Sequence, residues 1–109
     1  NGKRATTHWG YTQLLPKFGA THERARIVRD GNLLTAGGVT SGIDFALELI
    51  AQASGETVAR SIQLSLEYDP MPPFDGGTPD SSPEPIVSSL RSRFYDAAAQ
   101  KMETAIDAL

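Results

Sequence analysis

Six of the seven prolines lie between Pro70 and Pro85, in the run PMPPFDGGTPDSSPEP. A ring that fixes φ and removes the backbone donor cannot continue a helix or sit inside a sheet, so regular structure is excluded there. The run divides the 109 residues into a unit over 1–69, an extended arm over 70–85 anchored by Phe74, and a tail over 86–109. In the tail, Ile86, Leu90, Phe94, Ala98, Met102 and Ile106 recur every four residues, which predicts a long amphipathic helix to near Leu109. Its apolar stripe must dock either on the same chain or on a second subunit. No internal repeat accompanies it.

Within the first unit, Arg4 to His8 carries the β-branched pair Thr6 and Thr7 and reads as a short strand. Leu14, Leu15 and Phe18 at helical spacing, with Gly19 as a stop, predict a short helix over 11–18 that Pro16 makes irregular. Asp30-Gly31-Asn32, between Arg24–Arg29 and Leu33–Thr35, supplies the turn chemistry of a β-hairpin, since Gly31 tolerates positive φ. A small-residue loop from Ala36 to Gly42 then runs into an apolar segment. Ser41 with Asp44 three positions on predicts a capping box, the hydroxyl accepting a backbone N–H and the carboxylate reaching back. From Ile43 to Ala53 only Asp44, Glu48 and Gln52 are polar, spaced four apart, so this helix is expected to be buried on all but one narrow stripe. A second helix is expected from Glu56 to about Tyr68, with Val58, Ala59, Ile62 and Leu66 on one face and a Glu56–Arg60 pair outside.

At 39% hydrophobic and 21% charged residues, the composition is that of an ordinary globular protein. No apolar run is long enough to span a bilayer, and Asn1-Gly2-Lys3-Arg4 lacks the apolar core of a secretory signal; a cytoplasmic setting and no membrane partner are expected. The absence of cysteine excludes a disulfide framework and any cysteine zinc site, and His8 and His22 are too far apart for a metal motif, so no metal is expected. The net charge of -3 hides a basic start, Lys3, Arg4, Lys17, Arg24, Arg26 and Arg29 against Glu23 alone, followed by an acidic remainder. Without interleaved aromatics for base stacking, the split reads as solvated charge or a charge-complementary contact, and no nucleic-acid partner is expected.

ATTHW at Ala5 to Trp9, the hairpin, GGVTSGIDFALEL at Gly37 to Leu49, and ETVARSIQLSLEYDPMPPFDGGTP at Glu56 to Pro79 carry a resemblance in combination. Together they resemble the C-terminal half of the ThiJ/PfpI family, in the class I glutamine-amidotransferase-like superfamily, and within it the isonitrile (cyclohexyl-isocyanide) hydratase group. The resemblance runs from Asn1 to about Pro79 and fades after Pro83. It implies an α/β fold: the C-terminal part of a three-layer, flavodoxin-like α/β/α sandwich with a mostly parallel sheet, assembled as a homodimer. The hairpin and a C-terminal helical arm complete the expected architecture. In that family the nucleophile is a cysteine on a strained strand-to-helix elbow, and in the hydratase group an acidic residue from the N-terminal part assists it. Neither lies in this sequence, so the resemblance implies a missing N-terminal half as partner. The implied reaction is thiolate attack on the terminal carbon of an isonitrile, protonation to a thioimidate, and release by water of an N-substituted formamide, with no cofactor.

By the same resemblance, His8 matches the family histidine near the nucleophile at a strand end. An imidazole can orient or charge-balance a thiolate; a strand-end histidine bonded to backbone is the plainer alternative. Trp9 follows where a flat apolar surface can meet the substrate substituent, or can simply pack in the core. Thr7, Gly38, Val39, Thr40, Gly42 and Ile43 complete the implied substrate-binding wall. Gly37, Gly38, Thr40, Ser41 and Gly42 allow close backbone approach, and their N–H groups open a helix that can face an anion, although the spacing is neither a Walker loop nor a dinucleotide fingerprint. A plain capped helix start accounts for the loop equally, and Asp44 for its cap. His22 is expected in solvent.

Two other functions are compatible with the fold. One is a non-catalytic ligand-sensing domain of a transcription regulator, against which the LEYDP and PPFD tail and the lack of a helix-turn-helix pattern after it count. The other is a different ThiJ/PfpI activity, such as chaperone, glyoxalase or peptidase. Alone, the chain is expected to be poorly soluble, because its strands and the helix after Ile43 would lack the layers that cover them.

Overall fold

The computed structural model describes all 109 residues. Strand β1 (Arg4–Ala5) is followed by a 3₁₀ helix (Thr12–Phe18), then strand β2 (Thr21–His22). Gly19 closes the 3₁₀ helix at φ 74°, a left-handed value that costs glycine nothing, and Pro16 keeps that helix from being a regular α-helix. β1 and β2 pair in parallel, Arg4 with Thr21 and Ala5 with His22. Thus only the first two residues of the expected Arg4 to His8 strand are extended in a ladder.

Strands β3 (Ile27–Asp30) and β4 (Leu33–Ala36) form the expected hairpin, with Asp30 opposite Leu33. Gly31 has φ 63° while Asn32 keeps a negative φ, the pattern of a type II′ turn whose twist suits antiparallel strands. The hairpin meets β1 through side chains instead of a shared ladder. Asp30 Oδ2 accepts from the Arg4 amide at 2.7 Å and Thr35 Oγ1 from the Thr6 amide at 3.0 Å, satisfying the edge of β1 that faces away from β2.

Helices α1 (Ser41–Ser54) and α2 (Glu56–Ser65) pack on each other across Gly55, and α1 also contacts β3 and β4. α2 ends in a Schellman turn: Tyr68 N–H bonds to the Gln63 carbonyl and Glu67 N–H to the Leu64 carbonyl, with Glu67 at φ 52°. The Glu56–Arg60 pair lies on its exposed face at 2.6 Å.

The Pro-rich arm is irregular as far as Pro83, while Glu84 and Pro85 open a helix because a proline is tolerated in the first helical turn; Phe74 does not anchor the arm, its side chain being 83% exposed. Contact with the rest of the chain comes from an ion pair between Asp80 and Arg24 at 2.7 Å. The tail then forms α3 (Glu84–Leu90), a π-helical turn (Arg91–Tyr95) and α4 (Asp96–Asp107). The buried face is offset by one residue from the four-residue repeat both before and after the π turn. Val87 and Ala99 are buried, whereas Ile86, Phe94 and Met102 stay exposed. The tail docks on its own chain, with Lys17 of the 3₁₀ helix bonded to Asp107 at 2.8 Å and Glu103 at 3.1 Å.

The chain is mixed α/β, but its strands form two separate two-stranded sheets instead of one mostly parallel sheet. Only nine residues are buried, and the accessible surface is 7808 Å². A compact protein of this mass would expose about 5,900 Å². The radius of gyration, 16.1 Å, likewise exceeds the ~13 Å of a compact domain of this length. The expectation that α1 is buried on most sides therefore fails within this chain. Ile43 and Leu49 are each 44% exposed, because no element of these 109 residues lies over that face.

Candidate functional site

After Ala5 the chain leaves β1 and passes the loop that joins β4 to α1. The approach is tight at Gly38 and an ordinary contact at Gly37. A methyl group at Gly38 would stand 3.2 Å from His8 Cδ2, and one at Gly37 would stand 4.0 Å from the Thr7 carbonyl oxygen. Ser41, almost fully buried, holds the loop by donating its hydroxyl to the Gly38 carbonyl at 2.6 Å.

That bond corrects the expected capping box. The Ser41 hydroxyl accepts no N–H at the helix start, and α1 has no side-chain cap. Asp44 does not reach back either. Its carboxylate accepts from Arg26 Nε at 2.5 Å and from the Tyr68 hydroxyl, which ties the start of α1 to the residue that leads into β3 and to the turn after α2. The Tyr68 bond, with the Arg26 guanidinium second, holds the Asp44 carboxyl below its ordinary range, although partial burial opposes this. The same bond to Asp44 pushes the Tyr68 phenol up. The amides of Gly37, Ser41 and Gly42 are engaged by the carbonyls of Arg26, Gly38 and Val39, so these three do not face an anion.

His8 is half-buried, and Nδ1 accepts the Gly10 amide hydrogen at 3.1 Å. An imidazole nitrogen that accepts carries no proton, so the neutral ring bears its hydrogen on Nε2. Burial lowers the His8 pKa, which favours that neutral form. The ring stacks on Trp9 with centroids 5.4 Å apart and lies 4.8 Å from the ring of Tyr95. Trp9 is itself contacted edge-on by Tyr95 at 4.9 Å, and the Arg91 guanidinium lies over its ring at 4.9 Å.

Of the residues expected to form a wall, Thr7, His8, Trp9 and Gly38 thus come together. Val39 and Thr40 continue the same loop and Gly42 and Ile43 lie in the first turn of α1, but all four are exposed, Val39 at 95%. His22 is exposed, as expected. Sequence reasoning did not find Arg91 and Tyr95, which lie off the four-residue stripe; a Phe94-Tyr95 pair next to arginines was the available signal. No three His, Asp or Glu side chains are placed to hold a metal ion, and no helix is long and apolar enough to cross a membrane. An apolar cleft of about 440 Å³ lies between the 3₁₀ helix and α4 and adjoins this wall at Thr7 and Tyr11, with Leu14, Phe18, Met102 and Ile106 among its other lining residues.

Residues 1–52, which hold the strand end, the Gly-Gly loop and most of α1, match the DJ-1/PfpI family. The chain is 52% identical over 105 residues to the isonitrile hydratase of Pseudomonas putida, a match over 96% of this chain and 45% of that protein. It is 38% identical over 72 residues to the HTH-type transcriptional regulator CdhR of Pseudomonas aeruginosa, over 62% of this chain and 20% of the regulator. In three dimensions it superposes on the crystal structure of a ThiJ/PfpI family protein from Pseudomonas syringae with a TM-score of 0.82 at 38% identity. That superposition covers 91% of this chain and 42% of the other. The chain therefore spans less than half the length of each of these three relatives.

Proposed function

We propose that these residues form one wall of the pocket of a cysteine-dependent isonitrile hydratase, whose nucleophile and acidic partner belong to residues outside this sequence. The observation that carries the proposal is the 52% identity to isonitrile hydratase across nearly the whole chain. In the proposed reaction the thiolate forms a C–S bond to the terminal isonitrile carbon, and the acid outside this chain protonates that carbon to give a thioimidate. Water adds to the same carbon, the C–S bond breaks, and the thiolate leaves behind an N-substituted formamide.

His8 would act in this scheme as a neutral donor through Nε2–H, since burial and the Gly10 amide both disfavour an imidazolium. Thr7, Trp9 and Gly38 would line the near wall, and Val39, Thr40, Gly42 and Ile43 the rim that the rest of the fold covers. The excess exposed surface and the bare face of α1 support such a covering layer, and further apolar surface on the tail suits a homodimer.

A regulator also shares this scaffold, so the wall alone does not define an enzyme. The test is conversion of an isonitrile to its formamide by the intact protein, with thiol alkylation as control. Turnover abolished by alkylation and reduced in His8→Ala is the expected result. No turnover, with retained binding of a small molecule, would move the assignment to a sensor domain.

A further inference from the structure

We infer that Tyr95 is a positioning residue for His8, acting through Gly10. This deepens the proposed function, since it rests on His8 lining the pocket. Tyr95 sits at the end of the π-helical turn, a rare geometry that recurs at functional sites because it turns a side chain out of the regular helical register. Here it turns Tyr95 onto the Thr6 to Tyr11 segment. The ring makes edge contacts with Trp9 and Tyr11 and a tilted contact with His8.

Gly10 is the link. It is buried, and a methyl group there would meet Tyr95 Cγ at 2.8 Å, so the ring lies directly against the Gly10 backbone. The Gly10 amide is the group that donates to His8 Nδ1 and so selects the tautomer with hydrogen on Nε2. On its other side His8 is limited by Gly38. Tyr95 therefore closes a clamp in which the amide donor stays aligned and the imidazole cannot rotate away. The Tyr95 hydroxyl has no hydrogen-bond partner in the chain; the ring face, not the hydroxyl, does the positioning.

Two measurements on the intact protein test this. The first is the His8 tautomer by long-range ¹H–¹⁵N NMR of the imidazole; the second is formamide formation with kcat and KM separated. Tyr95→Phe is expected to match the unsubstituted protein in both. Tyr95→Ala is expected to populate the Nδ1–H tautomer and to lower kcat roughly tenfold or more with a smaller change in KM, as misplacement of a reacting group does. Tyr95→Leu keeps most of the apolar volume and decides the case in which the alanine variant unfolds. An unchanged His8 tautomer in a folded alanine or leucine variant overturns the inference. Should the unsubstituted protein hydrate no isonitrile, the proposed function fails, while the tautomer readout still decides the role of Tyr95.

Discussion

The Tyr68 hydroxyl donates to the carboxylate of Asp44, joining the turn after α2 to the first turn of α1. Because Arg26 donates to the same carboxylate, one side chain holds three segments together. Asp44→Asn keeps the shape but removes the charge that both donors favour. The expected cost is about 1 kcal/mol, below the ~1.5–3 kcal/mol of a buried charge-assisted bond because the group is partly solvated. Denaturant unfolding of the intact protein checks it.

The sign of the pH dependence follows from the same site. The folded-state pKa of Asp44 is depressed, so its contribution is complete above the ordinary carboxylate pKa. It is lost as pH falls through the lowered folded value. Acid unfolding of Asp44→Asn should therefore show a weaker pH dependence in that window; an unchanged profile would mean that the carboxylate bonds are not maintained in solution.

Glu67 occupies the left-handed position of the Schellman turn that delivers Tyr68 to Asp44. A residue with a Cβ pays a steric penalty there that glycine escapes. Glu67→Gly is expected to stabilise the protein by roughly 1 kcal/mol, partly offset by glycine's greater freedom when unfolded. A raised melting temperature is the readout.

Gly10→Ala tests the packing of the tail on the candidate site. The added methyl overlaps the Tyr95 ring attachment, and relief requires movement of the π turn or of the loop. A loss of about 1–3 kcal/mol is expected, the range for overpacking in a well-filled site. A neutral result would show that the tail yields easily.

Lys17 pins the end of α4 through Glu103 and Asp107, both in contact with solvent. Such pairs weaken with salt. Lys17→Gln, or high ionic strength, should speed hydrogen exchange in the last turn of α4 and leave β3 and β4 unchanged. Equal effects in both places would contradict a local role.

The 109 residues expressed alone should bind a hydrophobic dye and aggregate, given the surface left exposed on α1 and on the tail. A soluble monomer with cooperative melting and no dye binding would count against the covering layer in the proposed function.

Local chemistry was legible from consecutive residues. The prolines kept the run irregular from Pro70 to Pro83, Gly31 set the hairpin turn, Gly19 stopped the short helix, and the combination of ATTHW with the Gly-Gly loop indicated the family. Each rests on backbone restrictions or patterns confined to a few neighbours. The tertiary structure decided the rest. Asp44 abandons a cap for Arg26 and Tyr68, 18 and 24 residues away, because two donors outcompete one local amide. The buried face of the tail falls on Val87 and Ala99, one residue off the four-residue stripe on both sides of the π turn, and Tyr95 at the end of that turn meets His8. Helical periodicity cannot reveal such contacts, since it reports which residues share a face and not what that face meets.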